Sequence, residues 1–130
     1  MPMKPVIVIP AYNEATRIAA VIRGARQYVP DVIVVVDGST DGTARVASDT
    51  GARVIVHPEA SGAGAATMTG LAAARRLGFD TVITIDADGQ HATGDIPFLL
   101  EALSLQRADL VIANRFGRKN AIPFIRRIAN

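Results

Sequence analysis

Residues 6–37, VIVIPAYNEATRIAAVIRGARQYVPDVIVVVD, set two short apolar runs on either side of a segment with a different period. VIVIP and VIVVVD are short and β-branched, and turn-forming residues follow them, which reads as buried strands. Between them Ile18, Val21, Ile22 and Ala25 share one helical face after Asn13 and Glu14. The same alternation continues outward, with strand-like runs RVIV (53–56), TVITID (81–86) and LVIAN (110–114). Thr40 or Asp41 is placed to cap a helix from Thr43, a third helix is expected from about Gly64 to Leu77, and a fourth from near Asp95 to near Gln106 with Pro97 in its first turn. Strand following helix in this order predicts an α/β fold, a doubly wound and mostly parallel sheet. No internal repeat or low-complexity linker interrupts it, so residues 1–130 are expected to form one domain.

Composition sets the bounds. A chain of 130 residues, 49% hydrophobic and 20% charged, is ordinary for a globular domain but short for an α/β enzyme that carries a complete substrate pocket. No cysteine occurs, which excludes disulfides and thiolate metal sites and leaves oxygen or imidazole as metal ligands. The longest charge-free apolar stretch, ASGAGAATMTGLAAA (60–74), is too short and glycine-rich to span a bilayer, and MPMKPVIVIPAYNE holds no signal-peptide core. A cytoplasmic location is expected. The net charge of +2 is uneven, because Arg115, Arg118, Lys119, Arg126 and Arg127 all follow the last acid, Asp109. Such a basic segment attracts phosphates.

Ligands of open α/β sheets bind beyond the carboxyl ends of the strands. At those ends stand PAYNE (10–14), DGSTDGT (37–43), DADGQH (86–91) and NRF (114–116), so carboxylates, amides and an arginine converge on one edge. Asp86 and Asp88, two apart beyond a strand, can turn toward a shared point and offer hard oxygens to Mg²⁺ or Mn²⁺, with Gln90 adding an amide oxygen. Such a cation completes its shell with water and substrate phosphates, and a diphosphate suits it. The bland alternative is a simple Asp-Gly turn at Asp88. His91 and His57 are read as packing or hydrogen-bonding residues. In SGAGAATMTG (61–70), Gly62 and Gly64 either let backbone amides approach an anion or serve tight helix-to-sheet packing. Neither a full dinucleotide fingerprint nor a P-loop is present, which disfavours a Rossmann dehydrogenase or P-loop ATPase.

VIVIPAYNEATRI, VIVVVDGSTDGT, HPEASGAGAATMTGLAAA, VITIDADGQH and LVIANRF, in this order and spacing, resemble glycosyltransferase family 2, and within it the polyprenyl-phosphate sugar transferases of the dolichol-phosphate mannosyltransferase type. The resemblance implies a GT-A fold and a donor site for a nucleoside-diphosphate sugar of the UDP or GDP type. Pro10, Tyr12 and Glu14 match the first-strand motif lining the nucleotide site, and Asp37 matches the aspartate that holds the base. Asp86, Ala87 and Asp88 match the DxD element that engages metal and nucleotide, and Gln90 matches a further metal ligand. Arg115 and Arg126 match arginines near the donor phosphates, and Gly64 is grouped with them through the glycine string. Asp88 and Arg115 are expected to share the charge of the departing diphosphate. Val36, Ala60, Thr67 and Asn114 stand where the family commonly has other residues.

The implied reaction is metal-dependent sugar transfer to an acceptor, a polyprenyl phosphate by resemblance, at the inner face of a membrane. A phosphate acceptor is already nucleophilic, so no dedicated base is expected. A helix carrying AIPFIRR (121–127) would place Phe124 and Ile125 at the interface with Arg126 and Arg127 at phosphate level. Family members typically continue into an acceptor half, which here is expected to come from a partner chain or oligomer. No nucleic-acid partner is expected. The alternatives are a non-catalytic sugar-nucleotide-binding module, a sugar nucleotidyltransferase and a haloacid-dehalogenase-type phosphatase.

Overall fold

The structure is a computed structural model that describes residues 3–88, 93–106, 110–112 and 124–125. Strands β1 (Pro5–Ala11), β2 (Val32–Asp37), β3 (Arg53–His57), β4 (Thr81–Thr84), β5 (Leu110–Ile112) and β6 (Phe124–Ile125) form one sheet in the order β3-β2-β1-β4-β5-β6. The first five in that order run parallel, and β6 pairs antiparallel to β5. Helices α1 (Ile18–Arg26), α2 (Thr43–Asp49), α3 (Ala63–Arg76) and α4 (Ile96–Gln106) make the connections. The expected doubly wound α/β architecture is borne out.

β1 and β2 are buried on both faces, which is why their sequences are apolar without alternation. Ile7, Ile9, Val32, Val34 and Val36 point to one side, against Ile18, Val21, Ile22 and Ala25 of α1, Ala47 of α2 and Ile96 and Leu99 of α4. Val6, Val8, Ile33 and Val35 point to the other, against Ala66, Ala73 and Ala74 of α3. The fully buried helix residues on that second face are all small, Ala66, Gly70, Ala73 and Ala74. A Cβ on Gly70 would lie 2.3 Å from Val8 Cγ1 and 3.4 Å from Val35 Cγ2, so α3 sits as close as an absent side chain allows. For Gly70 the packing reading of the glycine string holds.

Two elements differ from expectation. β4 ends at Thr84, two residues before Asp86, although Ile85 N–H still donates to Val8 O at 3.1 Å. Phe124 and Ile125, expected on a helix, form β6, with Ile112 opposite Phe124 and Val111 opposite Ile125. Two strong β-formers beside the open edge of β5 gain ladder hydrogen bonds there and cover that edge. The helical lipid-facing arrangement expected for this segment is therefore not adopted at Phe124 and Ile125.

The strand order places a topological switch point between β1 and β4. β2 and β3 lie to one side of β1, and the chain then crosses to β4 on the other. Pro10 extends β1 beyond the last β4 pairing, which couples Val8 with Thr84. Val8 turns its carbonyl toward β4, so Pro10, two residues on, faces the same side, where no ladder partner remains to miss its N–H. The crevice that opens there is where such sheets bind ligands.

Candidate functional site

A cleft of about 320 Å³ opens at this switch point. Its walls are Pro10 and Ala11 at the end of β1, Tyr12 and Glu14 just after it, Asp37 at the end of β2, Ala63 and Ala66 at the start of α3, and Asp86, Ala87 and Asp88 after β4. Six expected site residues, Pro10, Tyr12, Glu14, Asp37, Asp86 and Asp88, are thus brought together from three strand ends. Gly64 lies in the first turn of α3 with open space around it and is not part of the cleft wall. Gln90, His91, Arg115, Arg126 and Arg127 lie outside the described residues.

The turn after β4 explains how two carboxylates two residues apart both reach the cleft. Ala87 between them is 4% exposed and packs into the core on the α1 side, while Asp86 and Asp88 are half-buried at the cleft wall. Four of the ten described lining residues are carboxylates, and none of those ten is basic. An anionic ligand meets repulsion in such a wall unless a cation stands between, and Asp86 and Asp88 supply the hard oxygen donors that Mg²⁺ or Mn²⁺ prefers. Among the described residues no group of three or more acidic, histidine or cysteine side chains gathers at one point, so the rest of a cation's shell must come from other groups, water or ligand.

The β1–α1 loop is held by the loop after β2. Asn13 sits at φ 50°, in the left-handed region. Its N–H donates to Ser39 Oγ at 2.9 Å, and its Oδ1 accepts Thr40 N–H at 2.8 Å. Glu14 N–H donates to Thr43 Oγ1 at 2.9 Å and Ala15 N–H to Asp41 Oδ2 at 3.2 Å. Asp41 Oδ1 also accepts Thr43 N–H at 3.0 Å and the Thr43 hydroxyl, so Asp41 holds the first amide of α2, although the N-cap position itself, expected at Thr40 or Asp41, falls to Gly42. These bonds, the Thr43 hydroxyl first, hold the Asp41 carboxyl below its usual range. Tyr12 remains 54% exposed at the cleft, and Glu14 pairs with Arg17 at 3.1 Å.

Asp37 is bound up within the protein. Only 5% exposed, it accepts Ser61 N–H, Ser61 Oγ–H and His57 Nδ1–H on Oδ1, each at 2.9 Å, and Gly62 N–H on Oδ2 at 2.8 Å. The Ser61 amide first, then His57, hold its carboxyl well below the usual carboxylate range against the opposing effect of burial. The anion met by the amide of Gly62, at φ 101° before α3, is therefore the protein's own Asp37. His57 also meets Thr69 Oγ1 through Nε2 at 2.9 Å, so its expected structural role is borne out, with partners that spacing does not reveal.

The family model described as glycosyl transferase family 2 matches residues 6–130. An undecaprenyl-phosphate mannosyltransferase of Micrococcus luteus is 37% identical over 87% of this chain and 49% of its own length. A UDP-N-acetylglucosamine–dolichyl-phosphate N-acetylglucosaminyltransferase of Methanococcus voltae is 31% identical over 95% of this chain and 58% of its own. The chain spans about half the length of these curated relatives. Among solved structures, glucosyl-3-phosphoglycerate synthase from Mycobacterium tuberculosis in complex with Mn²⁺, uridine diphosphate and glucosyl-3-phosphoglycerate superposes with a TM-score of 0.65 at 30% identity, over 78% of this chain and 39% of that one. No described helix is long and apolar enough to cross a membrane. With a family model matched across nearly all of its length and Glu14, Asp37, Asp86 and Asp88 gathered at the switch point of a doubly wound sheet, the chain belongs to glycosyl transferase family 2.

Proposed function

We propose that this chain is the donor-binding portion of a metal-dependent glycosyltransferase that takes a sugar from a nucleoside-diphosphate sugar. The observation that carries the reading is the placement of Asp86 and Asp88 in one cleft with Tyr12, Glu14 and Asp37, at the open end of the sheet. Asp86 and Asp88 would hold Mg²⁺ or Mn²⁺, with Gln90 proposed as a further ligand. When bound, the cation offsets negative charge on the diphosphate, both at rest and as the sugar bond breaks. The chain's own residues do the rest. Tyr12 offers an exposed ring face to a base, Pro10 and Ala11 wall the ligand on the β1 side, and Arg115 and Arg126 are proposed for the donor phosphates.

For the acceptor we propose a polyprenyl phosphate, reached by peripheral association with a membrane. Support comes from the relatives that act on undecaprenyl and dolichyl phosphates and from the basic residues after Asp109.

Calorimetric titration of UDP, GDP, ADP and CDP, each with and without Mn²⁺, tests the reading. Saturable binding of at least one nucleotide, stronger by tenfold or more with the cation, about 1.4 kcal/mol, is expected. Absence of binding under all conditions overturns it.

A further inference from the structure

The carboxylate of Asp37 is filled unevenly. An ionised carboxylate offers about four acceptor positions, two on each oxygen. Oδ1 receives Ser61 N–H and Ser61 Oγ–H, and His57 Nδ1 lies 2.9 Å from both Oδ1 and Ser61 Oγ, whereas Oδ2 receives Gly62 N–H alone. Oδ1 is therefore saturated and Oδ2 keeps one acceptor position. With the Ser61 hydroxyl donating to Oδ1, both oxygens that face His57 Nδ1 only accept, so that nitrogen carries a proton. Thr69 Oγ1, 2.9 Å from Nε2 and 3.1 Å from Ala65 O, then fixes the ring from its other side. The imidazole is thus clamped between the ends of β2 and β3 and helix α3, and the Asp37 carboxylate cannot turn without breaking these contacts.

Asp37 lines the cleft beside Tyr12, Ala63 and Ala66. Accepting the reading of that cleft as a nucleoside-diphosphate site, we propose that His57 and Ser61 are positioning residues that set base selectivity, by leaving Asp37 a single acceptor for the ligand. Uracil presents one imide N–H between two carbonyls, and one acceptor satisfies it. Guanine presents two adjacent donors, N1–H and the 2-amino group, and pairs fully with a carboxylate only when both oxygens are open. Placed here, guanine leaves one donor buried without a partner, which is the kind of mismatch that polar sites reject strongly.

UDP and GDP carry the same diphosphate, so their affinity ratio in the presence of Mn²⁺ isolates the base. The parent chain is expected to bind UDP at least tenfold more tightly than GDP, on the order of what one buried unpaired donor costs. In the double variant His57→Ala, Ser61→Ala, Oδ1 keeps only the Ser61 amide, and the ratio should narrow severalfold, with GDP gaining relative to UDP. His57→Asn, whose amide N–H can replace Nδ1–H, should keep the parent ratio, which a general packing role would not predict. A ligand-free readout accompanies these, in which ¹⁵N NMR of His57 is expected to show a proton on Nδ1 of the parent chain. If the double variant fails to fold, the parent ratio and the NMR tautomer still decide. Equal affinity for UDP and GDP, or a bare Nδ1, overturns the inference while leaving the nucleotide site standing. Failure of both nucleotides to bind overturns the nucleotide site and this inference together.

Discussion

Asn13 and Thr40, on loops that follow different strands, are joined where the cleft begins, Asn13 Oδ1 accepting the Thr40 N–H at 2.8 Å. The bond holds a residue at φ 50° and, through it, the orientation of Tyr12 and Glu14 on either side. Asn13→Ala removes the acceptor and leaves a left-handed backbone without a side chain suited to it. A loss of about 1–3 kcal/mol in stability is expected, with weaker nucleotide binding. Asn13→Gly relieves the backbone but not the lost bond, so denaturant melts should place it between the parent and the alanine variant.

Two glycines of one helix should respond with opposite signs. Replacing Gly with Ala inside a helix gains up to about 1 kcal/mol from propensity alone. At Gly64 nothing lies within 4 Å of the new Cβ, so Gly64→Ala should stabilise. At Gly70 the new Cβ would lie 2.3 Å from Val8 Cγ1. Overpacking of about 1–3 kcal/mol exceeds the propensity gain there, and Gly70→Ala should melt at lower denaturant than the parent.

The carboxylates of Asp37 and Asp41 predict how the fold responds to acid. Both are depressed in the folded state, Asp37 by Ser61 and His57 and Asp41 by Thr43. A depressed group binds protons more readily when unfolded, so its contribution is present above the unfolded value of about 3.9 and is lost as pH falls below it toward the folded value. Thermal melts should therefore fall steeply from about pH 4 downward. Asp37→Asn should be less stable than the parent at neutral pH and show a shallower decline in acid.

The basic residues after Asp109 predict salt-sensitive membrane attraction. Each cation near an anionic surface contributes about 1 kcal/mol, an effect screened by salt. Co-sedimentation with vesicles containing polyprenyl phosphate should fall when Arg126 and Arg127 are both replaced by Ala, and more at low salt than at high. Equal sedimentation of parent and variant would point to a soluble acceptor.

Much of this was legible in the sequence because periodicity and burial coincide. VIVIP and VIVVVD are apolar throughout because β1 and β2 are covered on both faces, and Ile18, Val21, Ile22 and Ala25 mark the one buried stripe of α1. The convergence of Glu14, Asp37, Asp86 and Asp88 followed from strand ends meeting on one edge. What escaped was long-range. Nothing in HPEASG says that His57 and Ser61 reach back to Asp37, 20 and 24 residues earlier, or that Asn13 grips Thr40. Local pattern also favoured a helix at Phe124 and Ile125, where the open edge of β5 selects a strand. Hydrogen bonds between distant loops leave no period to read.

A cation held between Asp88 and a diphosphate would be read out by paired calorimetry of the parent chain and Asp88→Ala. Asp88 is half-buried at the cleft wall, and circular dichroism and melts of the variant recorded beside the parent's separate loss of fold from loss of the cation. With Mn²⁺ present, Asp88→Ala should weaken binding of the nucleoside diphosphate by tenfold or more, about 1.4 kcal/mol, and the difference should largely vanish without the cation. Equal affinity in parent and variant, with and without Mn²⁺, would contradict it.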